Sequence, residues 1–185
     1  MGDNRRMRSL LVVTGPPGAG KSTVAAILAH RDGPSALVAG DAFFAFLARG
    51  AILPWLPESK EQNEVVTQAA GAAAGRYAAG GYATVYDGVV GPWFLPTFAA
   101  ATGLDRLDSV VLLPPVEACV ERVATRRGHG FSDEAATRHM HRGFARAQVD
   151  DRHVLRDPPG EPDAVAGLVA AARAAGSLAY RREGC

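Results

Sequence analysis

The residues with the clearest chemical purpose are Gly15–Ser22, GPPGAGKS, which fit the spacing G-x-x-x-x-G-K-S. Glycines at this density let a loop turn with its backbone N–H groups facing inward, a concave seat for an anion. Lys21 brings a positive charge suited to the β- and γ-phosphates of a nucleotide, and Ser22 offers a hydroxyl to Mg2+. Thr23 adds a second hydroxyl, placed for the α-phosphate. Gly15, Pro16, Pro17, Gly18, Ala19, Gly20, Lys21, Ser22 and Thr23 are therefore the expected nucleotide-binding residues. A dinucleotide fingerprint is a poor competitor, because it does not carry the Lys-Ser pair.

Two acids follow two other apolar runs: Asp41 in LVAGD and Asp87 in ATVYD. In an open parallel sheet, ligands bind at the carboxyl ends of the strands, so both acids belong at the crevice that holds the phosphate seat. A carboxylate at Asp41 can accept a hydroxyl proton as that oxygen attacks the γ-phosphate. Asp87 stands where a carboxylate holds Mg2+, often through water. Position in the chain does not decide which of the two is the base and which orients the metal. Aromatic residues trail both acids. Phe43, Trp55 and Trp93, with Asp41 and Asp87, are expected around a small organic acceptor, whereas Phe44 and Phe46 read as core. Gln62, Asn63 and Glu64 are candidate polar contacts.

These groups need elements to position them. Leu10–Val13 reads as a strand running into the glycine loop, and Ser22–His30 as a helix with Val24, Ile27 and Leu28 on one face. Strands are expected at Leu37–Ala39, Ala83–Tyr86, Val110–Leu113 and near His153–Leu155. Helices are expected at Phe43–Ala48, Glu61–Ala79, Val116–Arg127, from Ser132 to about Val149, and Pro162–Ala175. Ser132 is the expected cap of its helix, with Asp133 and Glu134 in the first turn. Strand–helix alternation of this kind implies an α/β fold in three layers: a five-stranded parallel sheet with helices on both faces. At 185 residues the chain is expected to form one domain, 1–185.

At 48% hydrophobic and 21% charged residues, the composition is that of an ordinary soluble domain. The formal net charge of +1 gives no electrostatic case for nucleic acid or a membrane surface as partner. Cys119 and Cys185 suggest neither a disulfide framework nor a metal site, which fits a reducing cytoplasm. His139 and His141 fall on different faces of one helix, and His129, His139, His141 and His153 read as surface residues rather than as a zinc set.

The phosphate loop, Gly40–Asp41 after the second strand and Asp87 after the third together resemble the small P-loop kinases. Within these the chain is most similar to the chloramphenicol phosphotransferase-like group, with shikimate and gluconate kinases as more distant relatives. The resemblance implies ATP and Mg2+ as cofactors, with Asp41 as base for a substrate hydroxyl. It also implies a helical lid, approximately residues 122–146, whose arginines close over the phosphates. Arg126 is the foremost of these, an arginine-finger candidate at once catalytic and nucleotide-binding, with Arg122, Arg127, Arg138 and Arg142 around it. The segment PWLPESKEQNEVV matches no motif for a particular substrate. Topology makes Arg156–Asp163 the loop that would read adenine, with Arg156 as its binding residue. The expected activity is an ATP-dependent transfer of the γ-phosphate to a hydroxyl of a small organic molecule. Alternatives are a nucleoside or nucleotide kinase and a nucleotide-dependent regulatory NTPase.

Overall fold

The computed structural model describes residues 9–31, 33–125 and 132–181. Its first unit is a strand β1 (Ser9–Thr14), the glycine loop, and a helix α1 (Lys21–Ala29). Then come β2 (Ser35–Ala39), the short helix α2 (Asp41–Ala45), the long helix α3 (Lys60–Ala79), β3 (Ala83–Asp87) and α4 (Leu95–Thr102). The rest comprises β4 (Arg106–Leu113), α5 (Val116–Thr125), α6 (Glu134–Arg146), β5 (Val154–Arg156), α7 (Pro162–Ala174) and β6 (Ala179–Arg181).

The strand order is β2-β3-β1-β4-β5, all parallel, as the alternation predicts. β6 adds an antiparallel sixth strand on β4, which the sequence reading does not include. The side chains of β1 show how the layers form. Leu11 and Val13 pack with α1 and α7 residues such as Val24 and Val165. Leu10 and Val12, one register step away, pack with Ala70 and Ala74 of α3 and Phe98 of α4. That is the period-two alternation of a strand buried on both faces. α6 joins the α3–α4 layer, where Phe144 packs on Val111 and Leu113. No helix among the described residues is long and apolar enough to cross a membrane.

α3 and α4 meet backbone to backbone. A methyl group at Gly75 would collide with the Thr102 carbonyl oxygen, and one at Gly71 would lie 2.7 Å from that of Phe98. Alanine at Gly75 gains up to about 1 kcal/mol of helix propensity. Separating two helices to admit the methyl costs more, about 1–3 kcal/mol, because neither contact atom is a flexible side chain. Gly75→Ala should therefore lower the melting temperature by a few degrees in a thermal unfolding scan; an unchanged or raised value would contradict this packing.

Two local expectations change. The cap of α6 is Asp133, whose carboxylate accepts from Ala136 N–H at 2.9 Å, rather than Ser132. The shorter reach from Asp133 to the third residue onward suits a capping carboxylate. His141 and His153 are not plain surface groups. His141 Nε2 donates to the Pro114 carbonyl at 2.8 Å, and the buried His153 donates from Nδ1 to that of Ser109 at 3.0 Å. Ser109 lies between the β4 residues paired with β6 and those paired with β5, so His153 satisfies a carbonyl that neither strand covers.

Candidate functional site

The glycine loop is fixed from below and from one side. Gly15, Pro16 and Ala19 are buried, and Lys21 Nζ folds back to donate to the Pro16 carbonyl at 3.0 Å. Gly18 takes φ 75°, and a methyl there would run into the Cys119 carbonyl of α5. The loop therefore lies directly on α5, whose Arg122 donates to the Gly18 carbonyl at 3.3 Å. α1 starts with no acidic residue in its first turn and no side-chain cap from Gly20. Its leading N–H groups and its positive dipole end are thus left to an external anion. Ser22 and Thr23 are exposed in that turn, beside the buried Lys21. These observations fit a nucleotide phosphate chain.

The two acids sit on adjacent strand ends. Gly40 N–H donates to the Asp87 carbonyl at 2.7 Å, so Asp41 and Asp87 leave β2 and β3 side by side. They face differently. Val85 packs in the layer of α1, and Asp87, two residues on, shares that face. It pairs in register with Val13, just before the glycine loop. Asp41 opens α2 instead, with Phe44 one turn on and on the same helical face.

A cavity of about 330 Å3 joins these parts. Its wall includes Pro17, Gly18, Lys21 and Ser22 of the loop, both Asp41 and Asp87, and the aromatic residues Phe44, Trp55, Trp93 and Phe94. Val66 and Thr67 of α3, Val123 of α5 and Met140 of α6 close it. Among the described lining residues Lys21 is the single cationic side chain.

The structure thus gathers Lys21, Ser22, Asp41, Asp87, Trp55 and Trp93 at one place. Phe43 is not on the wall; it packs against the α3–α4 core, and Phe44 takes the wall position. Helix geometry explains the exchange, since Phe44 and not Phe43 lies one turn from Asp41. Phe46 is 75% exposed and touches Phe43 edge-on, so it is not core. Arg156 is exposed at the end of β5, where it pairs with Asp151 at 3.4 Å away from this cavity. Arg126 and Arg127 lie outside the described residues, as does part of the expected lid. Of the other lid arginines, Arg138 is held at 2.7 Å by Glu117 of α5 and at 2.9 Å by Glu134, a tie between α5 and α6. Those contacts hold the Glu117 carboxyl below its ordinary range, chiefly by hydrogen bonding to Arg138.

Gln62 and Asn63 act on the loop that carries Trp55. The Gln62 amide bonds both N–H and C=O of Ile52 at 2.7 Å, as a paired strand residue would. Asn63 donates to the Pro54 carbonyl at 2.7 Å and to Ser59 Oγ at 2.9 Å. Tyr86 is among the wall residues that were not foreseen. It reads in sequence as a plain strand residue, yet it lines the cavity beside both acids. Burial pushes its hydroxyl pKa up, and the charges of Asp41 and Asp87 push it further. It is therefore a neutral donor throughout the working pH range.

A family model described as an AAA domain matches residues 10–149. The chain belongs to that AAA domain family. The match spans the phosphate loop, both acids and the α5–α6 region of this AAA domain protein. No curated protein matches it by sequence. Among solved structures, a sugar kinase from Janibacter sp. HTCC2649 is 19% identical, covering 90% of this chain and 94% of its own, with a TM-score of 0.68. The tunicamycin resistance protein of Deinococcus radiodurans is 16% identical, over 88% and 94%, at 0.64. A gluconokinase from Sinorhizobium meliloti 1021 is 20% identical, over 94% and 95%, at 0.62. The AAA domain protein therefore has the fold of the small P-loop kinases.

Proposed function

We propose that this protein is an ATP-dependent kinase that passes the γ-phosphate to a hydroxyl of a small, uncharged molecule with a large apolar face. One observation carries the reading: a single cavity is lined both by the phosphate loop and by aromatic side chains, with Asp41 and Asp87 on the same wall. Aromatic-lined space beside the phosphate loop favours a second, acceptor molecule over a switch that holds a nucleotide alone. A sugar acid or a phosphorylated acceptor would need a cation beside the aromatic residues, and among the described wall residues the single cation, Lys21, belongs to the phosphate loop.

In this account Lys21 and the leading N–H groups of α1 bind the phosphates. Asp41 accepts the proton of the acceptor hydroxyl as its oxygen attacks the γ-phosphorus, and the bond to the β-phosphate oxygen breaks to leave ADP. Ser22 and Asp87, a hydroxyl and a carboxylate on the loop side, are the hard oxygen donors that would hold Mg2+. When bound, that ion neutralises charge building on the phosphate oxygens. Trp55, Trp93 and Phe44 pack on the acceptor and keep water from the γ-phosphate, which favours transfer over hydrolysis.

The test is ADP release with Mg2+ and ATP against benzyl alcohol, 2-phenylethanol, glucose and gluconate, with phosphorus NMR of the products. An aryl alcohol should speed ADP release by about tenfold or more, the least that orienting an acceptor provides, and yield a phosphate monoester. Release of inorganic phosphate alone, at a rate no alcohol changes, would contradict the reading.

A further inference from the structure

Tyr86 stands out as a buried polar group that the reaction described so far does not use. Its side chain is 4% exposed, and its ring packs on Phe98 with centroids 4.6 Å apart. The hydroxyl projects past the end of β3 toward the cavity. There it is framed by two residues without a side chain. A methyl on Gly40 would collide with the Tyr86 oxygen, and one on Gly88 would lie 2.7 Å from it. Gly40 immediately precedes Asp41, and Gly88 immediately follows Asp87. The phenol therefore reaches the site through a gap that only two glycines leave open, and emerges between the two acids. Among the described residues it has no hydrogen-bond partner there.

The ring is buried while its hydroxyl opens on the cavity, so the donor is left for whatever occupies that space. The groups facing the gap narrow what that is. Asp41 and Asp87 are anionic, Lys21 is the one cation on the described wall, and Phe44 and Phe94 are apolar. Tyr86 lies on the α3–α4 face of β3, whereas Asp87 shares the face of α1 and the phosphate loop. Its hydroxyl thus serves the acceptor, not the phosphates.

We infer that Tyr86 is an acceptor-binding residue: its hydroxyl donates a hydrogen bond to the oxygen of the acceptor alcohol whose proton faces Asp41. The inference rests on the proposed acceptor site and adds the group that recognises the reacting oxygen. One donor and one acceptor then hold that oxygen, which selects an alcohol over a protonated amine, which has no lone pair to accept the bond, or a thiol, which donates and accepts weakly. A site built around such a bond discriminates strongly against analogues that cannot complete it.

The test uses Tyr86→Phe, which keeps the ring and removes the hydroxyl. The two tryptophans of the chain, Trp55 and Trp93, both line the cavity, so intrinsic fluorescence reads acceptor binding without turnover. Wild type and variant are titrated with 2-phenylethanol, assayed for phosphoryl transfer to it, and melted without ligand. The variant should bind 2-phenylethanol about tenfold more weakly, as expected for a lost hydrogen bond, with a melting temperature equal to or above that of wild type. Binding within twofold of wild type would overturn the inference. So would a melting temperature lowered by several degrees, since the hydroxyl would then be a structural one. If wild type binds the alcohol without phosphorylating it, the proposed reaction fails while the role of Tyr86 stands on the binding difference. If wild type binds none of the alcohols, both fail.

Discussion

Lys21→Ala should remove nucleotide chemistry while leaving the fold intact. Lys21 is the first residue of α1, and alanine is the best helix former, so the backbone has no reason to change. The lost group is the ammonium, now anchored at 3.0 Å by the Pro16 carbonyl within the loop itself. Bound phosphate would take that charge in a site where most of the side chain is already out of water. Removing one partner of such a desolvated, hydrogen-bonded charge pair costs about 2–5 kcal/mol, or roughly 30- to 5,000-fold in affinity. Titration with a fluorescent ATP analogue measures this directly, and the melting curve without ligand provides the control. Affinity within threefold of wild type would show that the phosphates bind elsewhere.

Asp41→Asn should have a different signature. The residue is exposed at the start of α2, so an isosteric amide leaves folding and ATP affinity close to wild type. An amide cannot take a proton from the acceptor, and loss of a positioned general base lowers turnover by about 10²- to 10⁴-fold. The matching change at Asp87 separates the two acids. Asp87 shares the face of Val85 and lies in register with Val13, toward the phosphate loop. Asp87→Asn should raise the Mg2+ concentration needed for half-maximal rate, while Asp41→Asn should leave it alone. Transfer at wild-type rate in Asp41→Asn would remove Asp41 as the base.

Much of this arrangement could be read before the fold was known, because its signals are local. An apolar strand, a glycine loop with Lys-Ser and an apolar-periodic helix are contiguous in the chain, and each part specifies the next. Asp41 and Asp87 were legible because a parallel sheet directs every strand end to one crevice. What escaped depends on partners distant in sequence. β6 is a three-residue strand that exists through its pairing with β4 across some seventy residues. Tyr86 sits in an apolar run whose alternation says only that it is buried; that its hydroxyl has a way out shows when Gly40, just past the end of β2, is placed beside it. Phe43 and Phe44 were exchanged because α2 starts two residues earlier than expected, which turns the other ring toward Asp41. Gln62, a candidate substrate contact, proves to hold the loop of Trp55 through Ile52.

The claim beneath all of this is that the outer end of the triphosphate and the carboxylate of Asp41 face each other across a space the size of one hydroxyl group. A crystal structure with Mg2+ and a non-hydrolysable ATP analogue measures it most directly. The account predicts a γ-phosphate turned toward the aromatic residues, with room for one oxygen about 3 Å from both the phosphorus and the Asp41 carboxylate. A γ-phosphate turned away from Asp41, with protein atoms filling the space between them, would contradict it.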